Sequence, residues 1–248
     1  MRVPSGYEEA RIGGARVMTR PHLLSFVTAA LDAAGTLYAW AARQPRDMKQ
    51  GRTTAYVVGA PGGEWVVRHY RRGGEVASLL GDRYFRFGTP RPFAELWASA
   101  LARARGIDTP AVAAVAVYPD GTFYRGDIAT ECVPESAALA DLSVGAGRRG
   151  DRDRRAAWRE TGRFLRRVAD AGIVHVDLNI RNILIAWRLG LPRPYLLDLD
   201  RCRILNRTGR ADLAKMVRRL HRSTRKIERQ SGQSLQDELD ELHAGLRA

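Results

Sequence analysis

The segment from residue 156 to residue 200 constrains the fold of this chain more than any other part of the sequence. Apolar residues recur there at helical spacing as far as Ala171, and Gly172 ends the predicted helix. The polar run HVDLNIRN follows and leads into two short apolar runs, ILIAW and PYLLDLD, which are typical of paired β-strands. A helix, a polar loop and a β insertion in this order indicate a mostly helical second half.

The first half of the chain has mainly β patterning. TTAYVV and EWVVRHY, separated by APGG, predict an antiparallel hairpin, and AVAAVAVYPDGTFYRGDIATECV predicts a second one. Between them, RPFAELWASALARARG has helical spacing and ends at Gly106, while the first forty residues suggest only one short helix near His22–Leu31. We therefore predict an α+β chain with two lobes: a β-rich N-terminal lobe over residues 1–133 and a mostly helical C-terminal lobe over residues 134–248.

The charge of the chain narrows the choice of partners. Lys and Arg number 41 and Asp and Glu 27 among 248 residues, a formal net charge of +14, so the surface attracts anions such as nucleic acid, nucleotide phosphates or anionic lipid. No stretch reaches the ~20 apolar residues needed to cross a bilayer, and no signal-peptide pattern opens the sequence. The two cysteines lack disulfide-framework or zinc-ligand spacing. We expect a protein of the reducing cytoplasm, associated at most peripherally with a membrane.

Three polar residues carry the strongest chemical signal. Asp177 is followed five residues later by Asn182 and, beyond two predicted strands, by Asp198. Magnesium-dependent phosphoryl transfer needs one carboxylate at the attacking hydroxyl and a separate carboxylate and amide on the metal. Asp177 would orient the hydroxyl, and Asn182 and Asp198 would bind Mg2+, while His175 would hold the loop in place. Each residue alone is compatible with an ordinary cap or turn; their combined spacing favours a kinase.

Longer blocks carry a family resemblance. WVVRHYRRGGEVASLLGDRYFR, TPRPFAELWASALARARGIDTPA, HVDLNIRNILI and LLDLDR resemble the 3-deoxy-D-manno-octulosonic acid (Kdo) kinase family over about residues 50 to 225. The resemblance implies a protein-kinase-like fold and an ATP- and Mg2+-dependent kinase that phosphorylates a hydroxyl of the Kdo sugar on a lipid A precursor. It also implies a role in lipopolysaccharide core biosynthesis at the cytoplasmic face of the bacterial inner membrane.

The resemblance assigns a phosphate-contacting pair to the first half of the chain. Arg68 stands where most protein kinases have the lysine that contacts the α- and β-phosphates of ATP. Glu95, on the predicted helix, stands where the acidic partner of that cation is expected. Arginine keeps the charge but offers a planar fork instead of a compact ammonium, so we expect a different phosphate geometry.

The resemblance also places backbone contacts to the nucleotide. Gly51 is the one glycine at the bend where a phosphate-covering loop would lie, and an ordinary hairpin turn explains it almost equally well. Backbone groups of the segment 130–133, including Glu131 and Val133, fall where adenine would be bound.

Several departures from regulated protein kinases concern control. Val176 stands where those kinases have the arginine that contacts a phosphorylated activation loop, and no Ala-Pro-Glu sequence follows Asp198. The triplet DLD replaces Asp-Phe-Gly, and its alternation places Asp200 on the same strand face as Asp198. We expect an enzyme that is competent without loop phosphorylation.

Basic residues near the catalytic segments, Arg71, Arg72 and Arg181, are candidates for contacts to an anionic substrate. A Kdo-bearing lipid A precursor in an anionic inner leaflet would match them. Two alternatives stay open: a kinase of the same fold acting on another small-molecule or protein hydroxyl, and a non-catalytic basic nucleic-acid-binding module. The latter lacks any recognisable nucleic-acid-binding motif, so no nucleic acid partner is expected.

Overall fold

A computed structural model describes residues 3–49, 54–71, 81–145, 150–205 and 212–248. The chain forms two compact units, Met1–Ala100 with Pro110–Cys132, and Leu101–Thr109 with Val133–Ala248. Leu101–Thr109 lies in the second unit, although the sequence assigned it to the N-terminal lobe. The physical reason is local bonding: Arg105 Nη1 donates to the Ala171 carbonyl at 2.7 Å, and Arg193 Nη2 lies 2.6 Å from Asp108 Oδ1.

The first unit is built on an antiparallel sheet. In chain order its elements are β1 (Glu8–Ile12), β2 (Ala15–Thr19), α1 (Leu24–Ala34), α2 (Leu37–Ala42), β3 (Asp47–Lys49), β4 (Ala55–Ala60), β5 (Gly63–His69), β6 (Tyr84–Phe85), α3 (Arg91–Ala104, which continues into the second unit), β7 (Val112–Asp120) and β8 (Phe123–Glu131). In the described residues eight strands form the sheet, in the order β1-β2-β7-β8-β5-β4-β3 with β6 paired to β8. Both predicted hairpins are present, as β4–β5 and β7–β8.

The two faces of this sheet have separate cores, as the period-two alternation of a strand requires. Val67 and Ala129 point to the face covered by α1 and α2, together with Trp65. Ile128 points to the opposite face, where Phe93 and Leu96 of α3 pack. Consecutive residues of β5 and β8 therefore meet different helices.

The first forty residues contain more structure than the sequence indicated. Besides the expected helix, here α1, they form the β1–β2 hairpin, and β2 pairs antiparallel with β7. The strands are only five residues long, and β1 is largely polar, so they give little periodic signal.

The second unit is mostly helical with small β elements. Its elements are β9 (Ser136–Ala138), α4 (Leu139–Ser143), α5 (Asp151–Asp170), β10 (Ile173–Val174), β11 (Ile183–Arg188), β12 (Leu191–Leu196), β13 (Arg203–Ile204), α6 (Leu213–Ser231) and α7 (Gln236–Arg247). β11 pairs with β12 and β9, and β10 pairs with β13. Helix α5 and the β11–β12 hairpin are both present, with the polar segment between them, as the sequence predicts. Together with the sheet of the first unit, these helices confirm the α+β class.

Helices α5 and α7 approach each other closely through two glycines. A Cβ atom on Gly162 would lie 2.2 Å from the Leu242 carbonyl oxygen, and one on Gly245 would lie 1.9 Å from the Arg159 carbonyl oxygen. Arg159 Nε also lies 2.6 Å from Glu241 Oε2. Only glycine allows this backbone contact.

No helix in the described parts of the chain is both long and apolar enough to span a bilayer.

Candidate functional site

In the first unit, Arg68 and Glu95 form an ion pair. Arg68 Nη2 lies 2.6 Å from Glu95 Oε1. Arg68 is on β5 and directed to the face of the sheet that α3 covers, because Val67 points to the other face. The Glu95 side chain is only 5% exposed, while that of Arg68 is about one third exposed. A buried carboxylate thus fixes a cation whose outer part remains accessible.

Tyr70 is a second partner of Glu95 that the sequence reasoning missed. Its hydroxyl donates a hydrogen bond to Glu95 Oε2, so each carboxylate oxygen has its own donor. Tyr70 lies two residues after Arg68 and therefore extends to the same face of the chain. The alternation in the RHYR block is the signal that could have identified it.

His69 lies between two carboxylates on the opposite face. Its Nδ1 is 2.6 Å from Asp127 Oδ1, and its Nε2 is 2.9 Å from Asp82 Oδ2. Burial lowers the pKa of His69, but hydrogen bonds and charges from Asp127 and Asp82 outweigh it and raise the pKa above 6.5. The structure thus favours an imidazolium at this position.

Asp127 is fully buried and connects this histidine to helix α2. Its Oδ2 accepts hydrogen bonds from the Tyr38 N–H at 2.9 Å and from the Tyr118 hydroxyl at 2.8 Å. Burial raises the pKa of Tyr118, and the charge of Asp127 adds to this effect. The sequence reasoning missed this network, because its members are separated by up to 89 residues.

The segment expected to contact adenine has part of its backbone hydrogen-bonded already. The Glu131 N–H donates to the Ala111 carbonyl, and the Cys132 N–H donates to the Glu64 carbonyl, both at 2.8 Å. The Val133 carbonyl accepts from Ser136 Oγ at 2.6 Å. The backbone N–H groups of Glu131 and Cys132 are therefore already used within the first unit.

In the second unit, the backbone of Asp177 is held by two asparagines. Asn179 Nδ2 and Asn182 Nδ2 donate to the Asp177 carbonyl at 3.0 and 3.3 Å. The Arg181 N–H donates to Asn179 Oδ1 at 2.9 Å. These bonds close the loop on itself, so Asp177 and Asn182 lie together as the sequence predicted.

The Asp177 carboxylate is exposed and has a basic partner. Its side chain is 51% exposed, and Oδ2 lies 2.8 Å from Arg201 Nη1. Sequence reasoning missed Arg201, although it follows DLD directly. An accessible carboxylate beside a cation is suited to orient a hydroxyl group of a substrate.

His175 is buried beside the loop and hydrogen-bonded to neighbouring segments. Its Nε2 lies 2.9 Å from the Leu197 carbonyl oxygen, and its N–H donates to Met216 Sδ at 3.4 Å. Burial lowers the pKa of His175 below 6.5, and a hydrogen bond to Leu197 opposes this only in part. A neutral, buried imidazole connects the loop to the segment that precedes Asp198, in agreement with a role in holding the loop.

Asp198 stands just beyond the open end of the β11–β12 hairpin. The Leu197 N–H donates to the Asn182 carbonyl at 2.9 Å, so the residue preceding Asp198 is bonded to Asn182. Asp198 adopts the left-handed conformation with φ +61°, and residues Leu199–Arg201 form a 3-10 helix. The expectation that Asp198 and Asp200 share a strand face is therefore wrong, because the strand ends at Leu196 and the chain turns at Asp198.

Four of the predicted site residues have no described contacts that would place them at a site. Gly51 and Arg72 lie outside the described residues. Arg71 and Arg181 are both exposed, in the first and second unit respectively. Within the described ranges no group of three or more His, Cys, Asp or Glu side chains is arranged to hold a metal ion. A metal here would depend on Asn182 and Asp198 together with ligands from a substrate or water.

A solved structure titled "WaaP in complex with acyl carrier protein" resembles the fold. The alignment has a TM-score of 0.55 and covers 97% of this chain and 89% of the other, at 16% sequence identity. At that identity the likeness bears on the fold alone. It confirms the protein-kinase-like α+β fold that the sequence predicts.

Comparison of sequences identifies the family. A protein of Xanthomonas oryzae pv. oryzae named 3-deoxy-D-manno-octulosonic acid kinase is 32% identical over 244 residues, 96% of this chain and 91% of the relative. A protein of the same name from Stenotrophomonas maltophilia is 37% identical over 153 residues, 61% of this chain and 58% of the relative, less than two thirds of its length. The relatives are named as kinases of a sugar, so the family's enzyme class is a phosphotransferase with a hydroxyl acceptor. Residues 38–239 match the model of the lipopolysaccharide kinase (Kdo/WaaP) family, and the chain therefore belongs to that family.

Proposed function

We propose that this chain transfers the γ-phosphoryl group of ATP to a hydroxyl of the Kdo sugar on a lipid A precursor, in the biosynthesis of the lipopolysaccharide core. The observation that carries the proposal is the loop in which Asn182 bonds to the Asp177 backbone while the Asp177 carboxylate stays exposed beside Arg201. Kinases need such an accessible carboxylate at the attacking hydroxyl. The names of the sequence relatives supply the acceptor.

Asp177 has the catalytic role in this proposal. Its carboxylate accepts the hydrogen bond of the acceptor hydroxyl and directs that oxygen at the γ-phosphorus. Arg201, 2.8 Å away, holds the carboxylate in one orientation and offsets negative charge at the site. The acceptor oxygen bonds to the γ-phosphorus as the bond from that phosphorus to the bridging oxygen of ATP breaks; ADP leaves, and the Asp177 carboxylate takes the hydroxyl proton. No side chain of the protein is phosphorylated.

Asn182 and Asp198 fit a magnesium ion by their chemistry. They offer one amide oxygen and one carboxylate, and Mg2+ prefers hard oxygen ligands and keeps several waters or phosphate oxygens. The Asn182 amide nitrogen donates to Asp177, which leaves its oxygen for a cation. Bound Mg2+ would offset the charge of the triphosphate.

Arg68 is proposed to contact the nucleotide phosphates, with Glu95 and Tyr70 fixing its position. Glu131 and Val133 are proposed to contact adenine through the backbone, and Gly51 to lie in the loop over the phosphates. In functional terms residues 1–133 would supply the nucleotide-binding part, and residues 134–248 the catalytic and metal-binding part.

Arg71, Arg72 and Arg181 are proposed to contact the acidic groups of the acceptor. The net charge of +14 supports association with an anionic surface, and we place the protein at the cytoplasmic face of the inner membrane as a peripheral protein.

The test is phosphate transfer to a defined acceptor. The purified chain is incubated with labelled ATP, Mg2+ and either a Kdo-bearing lipid A precursor, the same precursor without Kdo, or a mixed protein substrate. We expect label on the Kdo-bearing lipid only, and loss of that label in Asp177→Ala. Label on protein or on the Kdo-free lipid would instead support a kinase of the same fold with another acceptor.

A further inference from the structure

Strand β6 and the start of β8 form a ribbon with a mirrored sequence. Tyr84 pairs with Tyr124 and Phe85 pairs with Phe123 in antiparallel register. Arg83 directly precedes β6, and Arg125 directly follows Tyr124 in β8. The sequences Arg-Tyr-Phe and Phe-Tyr-Arg therefore give a pair of tyrosines on one face of the ribbon, and a pair of phenylalanines with the two arginines on the other.

The inner face of the ribbon is explained by the core. Tyr84 and Tyr124 are buried, stack with their ring centroids 5.5 Å apart, and pack in the same cluster as Phe93. Alternation then places Phe85 and Phe123 on the outer face. Neither side chain belongs to the two core clusters formed by the described residues of the first unit.

The outer face carries an aromatic patch, defined as Phe85, Phe87 and Phe123. The Phe85 and Phe123 ring centroids are 4.7 Å apart, and those of Phe85 and Phe87 are 6.3 Å apart. Phe87 is 89% exposed and Phe85 47% exposed. Three of the six phenylalanines of the chain thus form one contiguous group at the surface. Such patches are uncommon on proteins that act alone in water.

Arginines border the aromatic patch. Arg125 is exposed, Arg83 Nε lies 2.9 Å from Asp120 Oδ2, and Arg86 Nη1 donates to the Gly121 carbonyl at 3.1 Å. Exposed phenyl groups are unfavourable in water, and the arginines beside them give this surface positive charge. Both features become favourable against a surface that is apolar inside and anionic at its border.

We propose that the aromatic patch is the site at which the protein binds an anionic lipid bilayer. The phenyl groups would lie at the boundary between headgroups and acyl chains, and the arginines would lie at the lipid phosphates. The inference rests on the proposed function, whose acceptor is a lipid, and it assigns residues to the membrane contact. A second copy of the same surface fits less well, because it would bring the arginines that border one patch against those that border the other.

The experiment measures binding to vesicles. Co-sedimentation is compared for vesicles of phosphatidylcholine alone and for vesicles of equal parts phosphatidylcholine and phosphatidylglycerol. We expect wild-type protein to bind the anionic vesicles, and Phe85→Ser combined with Phe87→Ser to bind them at least about tenfold more weakly. The matched control is Leu189→Ser combined with Leu191→Ser, which removes two apolar side chains of the second unit that are more exposed than the phenylalanine pair and should bind as wild type.

Two further single variants are measured in the same vesicle-binding experiment. Phe87→Ser alone changes the most exposed ring and guards against misfolding of the double variant, which circular dichroism would detect. Arg125→Gln should weaken binding to anionic vesicles about fivefold and leave binding to neutral vesicles unchanged. Equal binding by wild type and the phenylalanine variants would overturn the proposal. Equal loss in the leucine variant would overturn it too, as would a wild-type dimer that Phe87→Ser converts to a monomer.

The proposed function is tested apart from this inference. Wild-type protein is assayed with a deacylated, water-soluble Kdo-bearing acceptor, which needs no membrane. Phosphorylation of this acceptor without patch-dependent vesicle binding would reject the membrane site alone. Patch-dependent vesicle binding without phosphorylation of any Kdo-bearing acceptor would reject the proposed function alone.

Discussion

Arg68 and Glu95 are 27 residues apart in the chain, yet their side chains meet at 2.6 Å because strand β5 directs Arg68 toward helix α3. The Glu95 carboxylate has no large exposed surface, so its two hydrogen-bond donors, Arg68 and Tyr70, replace the water that it lost on folding. The pair therefore holds the Arg68 guanidinium at a fixed place. Removing this cation should lower the free energy of unfolding.

Two substitutions of Arg68 distinguish the effect of its positive charge from the effect of its planar shape. Arg68→Met removes the ion pair of the buried Glu95 carboxylate, and we expect the free energy of unfolding to fall by about 1–3 kcal/mol. Arg68→Lys keeps the charge and should cost less than about 1 kcal/mol, while the KM for ATP rises because the planar fork is lost. Urea unfolding and initial-rate kinetics measure the two effects. As a control, Arg68→Met with Glu95→Leu should recover stability but not activity.

Replacing Asp177 should affect activity without affecting stability. Because the Asp177 side chain is half exposed, its pair with Arg201 should contribute less than about 1 kcal/mol to folding. Asp177→Asn should lower kcat by a factor of about 100 to 10,000 and leave the melting temperature unchanged. Glu160→Gln, which removes a partly buried carboxylate paired to arginines, is the control and should keep full activity. A fully active Asp177→Asn would contradict the role of Asp177.

Because Asp198 has a left-handed backbone conformation, we expect Asp198→Asn and Asp198→Ala to differ in stability. Asparagine tolerates φ +61°, so Asp198→Asn should fold normally and lose the magnesium dependence of ATP binding. Asp198→Ala should lose the same binding and about 1 kcal/mol of stability besides. Calorimetric titration of ATP at several Mg2+ concentrations gives the binding, and thermal unfolding gives the stability. Unchanged ATP binding by Asp198→Asn would count against the metal assignment.

His69 predicts a particular dependence of stability on pH. Its pKa in the folded protein is raised above the unfolded value of 6.5, so its protonated form is stabilised on folding. The stabilisation relative to His69→Gln is fully present below pH 6.5 and is lost as the pH rises through the raised pKa. Urea unfolding of both proteins across this range measures the difference. His175, whose pKa is lowered, acts in the opposite direction but is common to both proteins and cancels. A difference that grows with pH would contradict the assignment.

The glycine contact between α5 and α7 predicts a strong steric effect. Gly245→Ala would place a methyl group 1.9 Å from the Arg159 carbonyl oxygen, and Gly162→Ala would place one 2.2 Å from the Leu242 carbonyl oxygen. Each should destabilise the protein by about 1–3 kcal/mol or more, despite the better helix propensity of alanine. Gly150→Ala is the control, because nothing lies within 4 Å of the added methyl group; Gly150 is the N-cap of α5, so this change should cost no more than about 1 kcal/mol. Equal melting temperatures for Gly245→Ala and Gly150→Ala would show that the helices can separate without cost.

Sequence reasoning succeeded where the signal is local and periodic. Helix α3 and the β7–β8 hairpin follow from apolar spacing and from turn residues, and the loop of Asp177 and Asn182 follows from a fixed short spacing. The pairing of Arg68 with Glu95 needed the family resemblance, since nothing in either segment alone specifies the other. The meeting of the two side chains agrees with that expectation.

The misses have physical causes as well. His69, Asp82 and Asp127 come from three separate segments, and only the alternation of β5 and β8 brings them to one face. The alternating sequence LLDLD matches a strand, so the turn at Asp198 is not visible in it; the chain leaves the strand where Leu197 bonds to Asn182. Arg201 was missed for the same reason, because a continued strand would carry it away from Asp177.

The glycine seam between α5 and α7 also bears on how the protein is made. Arg159 and Glu241, which pair across it, are 82 residues apart, so one face of α5 emerges from the ribosome long before its cover does. At about 5–20 residues per second the delay is on the order of 4–16 s, during which that face stays open to water or to a chaperone. Slow translation of the segment between the two helices would lengthen this vulnerable period.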